Sequence, residues 1–181
     1  MCAKLDVIGP VVIGHSLGGL VALDLAAADP NRVAAAVLID SPVLGGGERA
    51  SGVQELVAGL RGDDSERVLR EYFATFFGPH DNPERETWIM NEALRVPPHV
   101  ASSIGEESLR GWGDAAALRR CQVPLLYLDA GTPNADPARA TELNPTMLVG
   151  RSVGTGHFSP LESPEQVNAM LGRFLSVGLN G

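Results

Sequence analysis

The sequence has 181 residues, of which 44% are hydrophobic and 20% charged, a balance typical of one soluble globular domain. A formal net charge of −8 without a basic cluster argues against nucleic-acid binding, and no stretch approaches the ~20 continuous apolar residues of a membrane span. Two cysteines, Cys2 and Cys121, do not suggest a disulfide framework, and the first residues lack the apolar segment of a signal peptide. We therefore expect a reduced, cytoplasmic protein with neither membrane nor nucleic-acid partners.

A short apolar run, Val11-Val12-Ile13, leads into Gly14-His15-Ser16-Leu17-Gly18, and an apolar helical pattern follows. Gly-x-Ser-x-Gly between a buried strand and a helix is typical of a sharp turn that holds a serine hydroxyl beside the first N–H groups of the helix. We expect a Cβ atom at Gly14 or Gly18 to collide with the neighbouring elements. The simpler interpretation is a glycine-rich turn with an incidental serine, but the strand and helix on either side favour Ser16 as a nucleophile.

A second buried strand is predicted over 33–39, and it ends at Asp40-Ser41-Pro42. From residue 43 to residue 120 no buried strand pattern occurs, and helical stretches take its place. One covers Ser65 to Phe77, another opens with Asn82 as N-cap before a proline, and a third starts at the next proline pair. Aromatic side chains of this segment either line a pocket or, as we favour, pack its helices together: Tyr72, Phe73, Phe76, Phe77, Trp88 and Trp112.

The C-terminal part predicts a third strand over 123–128, a short helix over 137–143, a fourth strand over 147–153 and a final helix. Ser163 and Gln166 predict a capping box at the start of that helix. Of the four histidines, His15 is expected to pack away from Ser16, whereas His80 and His99 lie beside turn signals and are expected to be solvated. His157 follows the fourth strand in a glycine-rich loop, which makes it the candidate base.

The segments Gly14-His15-Ser16-Leu17-Gly18-Gly19, Gly154-Thr155-Gly156-His157-Phe158 and Leu161-Glu162-Ser163-Pro164-Glu165 together resemble the α/β-hydrolase family, in its serine hydrolase branch with a helical cap. The resemblance implies an α/β fold with a mostly parallel sheet of about four strands. Its core would comprise residues 1–42 and 121–181, and residues 43–120 would form an inserted helical cap over the active site.

The resemblance also implies a reaction. Ser16 would attack the carbonyl carbon of a small-molecule ester or related acyl substrate, and His157 would move the proton. The backbone N–H of Leu17 would hold part of the oxyanion, and water would then clear an acyl-enzyme. No metal or organic cofactor is implied, since the spacing of cysteine and histidine fits no zinc pattern.

The acid that would orient the histidine has two candidates. The family usually places it after the third strand, where Asp136 is the nearest acid, but Asp136-Pro137 also predicts a plain helix N-cap. Some relatives carry the acid after the strand that follows the nucleophile, and Asp40 stands there, although Asp-Ser-Pro is also a turn former. We favour Asp40 over Asp136.

The resembled fold has further strands and a second oxyanion donor before the nucleophile strand, whereas ten residues precede Val11 here. We therefore expect the edge at residues 10–14 to pair with a second copy of the chain or to aggregate, with little esterase activity. The alternative function is a catalytically incomplete remnant or a non-catalytic binding module of the same fold.

Overall fold

The computed structural model describes residue 4 and residues 6–45, 47–78, 81–111, 113–130 and 135–179. Within these ranges it contains one sheet of four parallel strands, whose order across the sheet is the order along the chain. The strands are β1 (Val11–His15), β2 (Ala35–Ile39), β3 (Leu125–Asp129) and β4 (Leu148–Arg151). The predicted α/β class and the four parallel strands are confirmed.

The helices of the described residues lie between and after the strands: α1 (Leu17–Ala28), α2 (Gly47–Leu60), α3 (Ser65–Ala74), α4 (Pro83–Leu94), α5 (Pro98–Ser108), α6 (Ala115–Arg120), α7 (Pro137–Leu143), α8 (Ser159–Glu162) and α9 (Pro164–Gly178). The segment between β2 and β3 is therefore helical, as its pattern predicted. Of its helices, α6 packs on α1 in the main core through Ala117 and Leu118. The domain boundaries after residues 42 and 120 stay a prediction.

The two central strands are buried on both faces. Leu38 and Tyr127 pack toward α1 and α6, and Val37 and Leu128 pack toward α9, where Phe174 covers them. This alternation places β2 and β3 between two helical layers, as parallel strands require. Their carboxyl ends, where residues 40 and 129–130 lie, are thereby held in a dry and rigid position.

The outer strands are more exposed. β1 pairs with β2 alone among the described residues, and the side chain of Ile13 is 49% exposed. The pairing of this edge with another chain stays a prediction. None of the helices in the described part is both long and apolar enough to cross a membrane.

Two helix starts were predicted from their caps, with different outcomes. The side chain of Asn82 accepts hydrogen bonds from the N–H groups of Glu84 and Arg85, as predicted for α4. The capping box predicted for α9 is wrong, because the Ser163 hydroxyl bonds the side chains of Glu165 and Gln166 and caps no N–H. The competing partners lie close by in sequence, so the local pattern did not distinguish them.

Candidate active site

Ser16 occupies a sharp turn between β1 and α1. Its backbone has φ 53° and ψ −125°, a left-handed conformation that costs energy for a residue with a Cβ atom. Two backbone hydrogen bonds hold this turn: the Ser16 N–H donates to the Ile39 carbonyl at 2.9 Å, and the Gly19 N–H donates to the Ser16 carbonyl at 3.0 Å. These bonds hold the strained turn, which places the Ser16 side chain at the end of the sheet, where it lines a cavity.

Glycines surround this turn, and the structure corrects which of them are needed. A Cβ atom on Gly14 would lie 2.1 Å from the carbonyl oxygen of Gly18, so Gly14 is required, as predicted. The prediction for Gly18 is wrong, because a Cβ atom there meets no atom within 4 Å. Gly19 is the tight position instead, since its Cβ atom would lie 1.8 Å from Ser41 Oγ. Ser41 lies 22 residues after Gly19 in the sequence, and the pairing of β2 with β1 brings the two together.

The structure brings His157 and Asp40 together. His157 Nδ1–H donates to Asp40 Oδ2 at 2.6 Å, and the two side chains are 7% and 0% exposed. Asp40 itself is held by its N–H, which donates to the Leu128 carbonyl at 2.7 Å, and its Oδ1 accepts from the Ala130 N–H at 3.4 Å. Because a carboxylate only accepts, the imidazole proton lies on Nδ1 and the lone pair of the neutral ring lies on Nε2.

Asp136 has a different role. Its side chain accepts a hydrogen bond from the Arg139 N–H at 2.9 Å, which makes it the N-cap of α7. It is exposed, whereas Asp40 is completely buried. Of the two candidate acids, the structure therefore brings Asp40 to the histidine and leaves Asp136 on the surface.

His15 also contacts His157. Its Nε2–H donates to the His157 carbonyl oxygen at 2.7 Å, and the two rings are 4.6 Å apart. Burial, and then the nearby His157 ring, hold the pKa of His15 below its usual value, so this ring stays neutral. The sequence predicted that His15 packs away from Ser16, but His15 lines the same cavity as Ser16. Its hydrogen bond supports the backbone of the His157 loop, which is a structural role.

Phe76 contacts His157 from the cap side. The phenyl ring stacks on the imidazole with centroids 4.4 Å apart and planes inclined by 23°. Phe76 lies just after α3, so a side chain of the helical insert covers one face of a histidine of the core. The sequence offered Phe76 only as one of six aromatic residues, and no spacing rule could pair it with a residue 81 positions away.

The loop that carries His157 is held by the side chains of Glu162 and Gln166, for which the sequence analysis predicted no such role. Glu162 Oε2 accepts from the Gly156 N–H at 2.6 Å, and burial raises the pKa of this carboxyl group. The amide of Gln166 bonds both the N–H and the carbonyl of Val153, at 2.9 and 3.0 Å. These bonds fix the segment that leads to His157, and the hydrogen bond to Asp40 orients its ring.

Ser16 and His157 both line one cavity of about 410 Å³. His15, Leu17 and Pro42 complete its floor at the end of the sheet, while α2 to α5 form its roof. Tyr72, Phe73 and Phe76 line it, and they also contact one another edge to face, so they serve both of the roles considered for the aromatic residues. Trp88 is 55% exposed and His99 is exposed on α5, whereas His80 and Trp112 lie outside the described residues.

Leu17 occupies the first position of α1, where an N–H group has no partner within the helix. Its amide is therefore available, by position, to a ligand oxygen above Ser16. Metal ligation has no basis in the described ranges, because no group of three or more His, Cys, Asp or Glu side chains there is arranged to hold an ion.

The model of a family described as the alpha/beta hydrolase family matches residues 3–170. Lipase LipV of Mycobacterium tuberculosis (strain ATCC 25618 / H37Rv) is 56% identical over 50 residues, which are 27% of this chain and 18% of the lipase.

Two solved structures share the fold at low sequence identity. A putative aryl esterase from Burkholderia cenocepacia is 22% identical, with a TM-score of 0.78, and the match covers 99% of this chain and 68% of that one. A hydrolase from Oleispira antarctica is 16% identical, with a TM-score of 0.84, over 97% of this chain and 68% of that one. The chain thus spans about two thirds of the length of these structures and a much smaller share of the lipase.

Proposed function

The chain belongs to the alpha/beta hydrolase family, and from this membership we propose that it is a serine hydrolase that cleaves a carboxylic ester or a related acyl substrate. One observation carries the proposal. The buried hydrogen bond from His157 to Asp40 orients an imidazole in the cavity that Ser16 also lines. A base oriented by a carboxylate, next to a serine on a strained turn, is the arrangement that activates a hydroxyl group.

The proposed reaction starts at Ser16. Its Oγ attacks the ester carbonyl carbon while His157 Nε2 takes the hydroxyl proton, and Asp40 stabilises the resulting imidazolium through Nδ1–H. The carbonyl oxygen becomes an oxyanion, which the Leu17 N–H stabilises. The C–O bond to the alcohol then breaks, and the alcohol leaves with the proton from Nε2.

Water completes the cycle. It attacks the acyl-enzyme carbonyl as His157 Nε2 accepts one of its protons, and the second tetrahedral intermediate breaks at the Ser16 Oγ bond. The proton returns from His157 to Ser16, and the carboxylic acid is released. The names of the similar proteins, a lipase and a putative aryl esterase, describe ester hydrolysis in those proteins and support an ester as the substrate here.

A fluorophosphonate probe tests this function without knowledge of the substrate, because it labels only an activated serine. The sequence predicted little esterase activity, but because Asp40 orients His157 in the cavity we expect labelling of the full chain. We also expect loss of labelling in Ser16→Ala, and labelling at least a thousandfold slower in His157→Ala. Ser103→Ala is the matched control, since Ser103 is an exposed serine on α5. Equal labelling of the native chain and Ser16→Ala would contradict the proposal.

The second candidate is a binding module without chemistry. The apolar lining of the cavity favours it, because a ligand can occupy such a space without reacting. It predicts no labelling of the native chain, together with binding of apolar ligands that survives in Ser16→Ala.

A further inference from the structure

We propose that the substrate is an uncharged ester with an apolar group of about six to eight carbons between the cap helices, the length of which is limited by Ala101. This inference rests on the proposed function, because it assumes that the ester carbonyl lies at Ser16. The apolar group lies on either the acyl or the alcohol side of the ester, and the experiment below distinguishes the two. It also assigns a specificity role to a residue of the helical insert.

The polarity of the cavity changes from floor to roof. Its two histidines, His15 and His157, lie at the floor beside Ser16, and the described lining residues include no Asp, Glu, Lys or Arg. On α3 the side chains of Leu69 and Phe73 face the cavity, while the charged side chains of that helix form ion pairs on its exposed face. The described residues of the roof therefore offer hydroxyl groups, those of Tyr72 and Ser108, but no opposite charge for a charged ligand.

An uncompensated charge in such a space is strongly disfavoured. A carboxylate or an ammonium group would lose its water and gain no opposite charge in return. Even the Ser108 hydroxyl is engaged, since it donates to the Gly105 carbonyl at 2.7 Å within α5. An uncharged apolar group has no such penalty, and the Leu56, Leu69 and Phe73 side chains can cover it.

The volume sets the size of the group. At roughly 30 Å³ for each non-hydrogen atom with its hydrogens, 410 Å³ holds about fourteen such atoms. The ester group and the atoms beside Ser16 occupy about six of these places at the same volume per atom. An apolar group of about six to eight carbons fills the remainder.

Ala101 is the residue best placed to limit that length. It lies on α5, lines the cavity and packs against the cluster of Leu56, Leu60 and Leu69 between the cap helices. Gly105, one turn later, cannot be enlarged without moving α2, because its Cβ atom would lie 2.6 Å from Val57 Cγ2. A larger side chain at position 101 extends into the space that the distal carbons need.

A chain-length series tests the proposal. We expect kcat/KM for p-nitrophenyl acetate, butyrate, hexanoate and octanoate to rise about fourfold per methylene until the cavity is filled. Mono-p-nitrophenyl adipate has the length of the hexanoate with a terminal carboxylate, and we expect it to react at least a hundredfold more slowly. Alkyl acetates followed by pH-stat form the second arm, and a rise confined to this arm places the same apolar group on the alcohol side.

The variants test the role of Ala101. Ala101→Leu should lower the ratio of octanoate to acetate kcat/KM at least tenfold, and Ala101→Val should have an intermediate effect. Ser103→Leu is the matched control, because it adds a similar bulk on the exposed face of the same helix and should leave the series unchanged. Equal rates for adipate and hexanoate, or an unaltered length preference in both Ala101 variants that retain native circular dichroism, would overturn the inference.

Calorimetry separates this inference from the proposed function. Ser16→Ala should bind methyl hexanoate at least a hundredfold more tightly than monomethyl adipate, and Ala101→Leu in that background should weaken the binding of methyl hexanoate. If these differences appear although no ester is hydrolysed, the proposed function fails and the assignment of the cavity stands. If hydrolysis depends on Ser16 but neither arm discriminates by length or charge, the assignment fails and the function stands.

Discussion

The floor and the roof of the cavity are built in different ways. At the floor, backbone hydrogen bonds hold the chain beside the proposed catalytic groups: the Ser16 N–H donates to the Ile39 carbonyl after β1, and the Asp40 N–H donates to the Leu128 carbonyl after β2. The roof consists of short helices whose inner faces are apolar and whose outer faces carry ion pairs such as that between Arg70 and Glu66. Exposed pairs of this kind contribute little to stability.

This difference separates two tasks. Chemistry requires reacting atoms in one geometry, which the carboxyl ends of the strands supply because backbone hydrogen bonds there connect neighbouring strands. Selection of the substrate requires shape and polarity, which apolar side chains on helices supply and can change without disturbing the floor. Phe76 is a point where the two regions meet, since a cap ring stacks on His157.

The largest effect is expected from the acid at the floor. Asp40→Asn should lower kcat for ester hydrolysis by about a hundredfold to ten thousandfold, because the amide no longer selects the tautomer with the proton on Nδ1. Asp136→Asn should leave kcat within about twofold of the native value, since asparagine also caps helices well. Steady-state kinetics with circular dichroism as a folding control measure this, and the reverse order would assign the acid to Asp136.

The next effect concerns the stability of the floor itself. Gly19→Ala should lower the free energy of unfolding by about 1–3 kcal/mol, because its Cβ atom overlaps the Ser41 side chain. Gly18→Ala should leave the stability unchanged or raise it by roughly 0.5–1 kcal/mol, since the site is open and alanine favours a helix. Urea unfolding of the two variants gives the comparison, and a larger loss in Gly18→Ala would contradict it.

The contact between roof and floor is expected to have a smaller effect. Phe76→Ala should lower the rate of fluorophosphonate labelling about twofold to tenfold, as expected for the loss of one aromatic contact, and Phe76→Tyr should restore it. Phe77→Ala is the control, because the Phe77 ring stacks on Phe158. The dependence of the labelling rate on pH should also change in Phe76→Ala but not in Phe77→Ala. An unchanged pH dependence in Phe76→Ala would show that Phe76 has only a packing role.

The smallest effect concerns pH. Because burial and the His157 ring lower the pKa of His15 in the folded chain, the unfolded chain binds a proton that the folded chain does not, at pH values below about 6.5. The stability from neutral His15 is therefore complete above that pH and is lost as the pH falls. His15→Gln keeps an N–H donor and does not titrate, so its free energy of unfolding should decrease less between pH 7 and pH 5.

The comparison between variants is needed because other groups act in the opposite direction. Burial raises the pKa of Glu162 and of Asp129, so their contribution weakens as the pH rises. His99→Gln, the same substitution at an exposed histidine outside the cavity, is the matched control. An identical pH dependence in His15→Gln and the native chain would show that His15 is not the group involved.

Sequence alone determined the elements whose signals are local. The strand, turn and helix around Ser16 follow from an apolar run, two glycines and a helical pattern within about 20 residues, and the structure contains all three. Proline and asparagine located the starts of α4 and α5 for the same reason, since their effect on the backbone is confined to neighbouring residues. His157 was singled out because it follows a strand in a glycine-rich loop.

Only the tertiary structure decided which groups meet. Asp40 and His157 are 117 residues apart, and Asp40 and Asp136 carry the same carboxylate after neighbouring strands, so spacing along the chain could not choose between them. The order of the sheet and the path of the His157 loop make that choice. The same reason explains Gly19 and Phe76, because the overlap of one with Ser41 and the stacking of the other on His157 arise between elements that no local pattern connects.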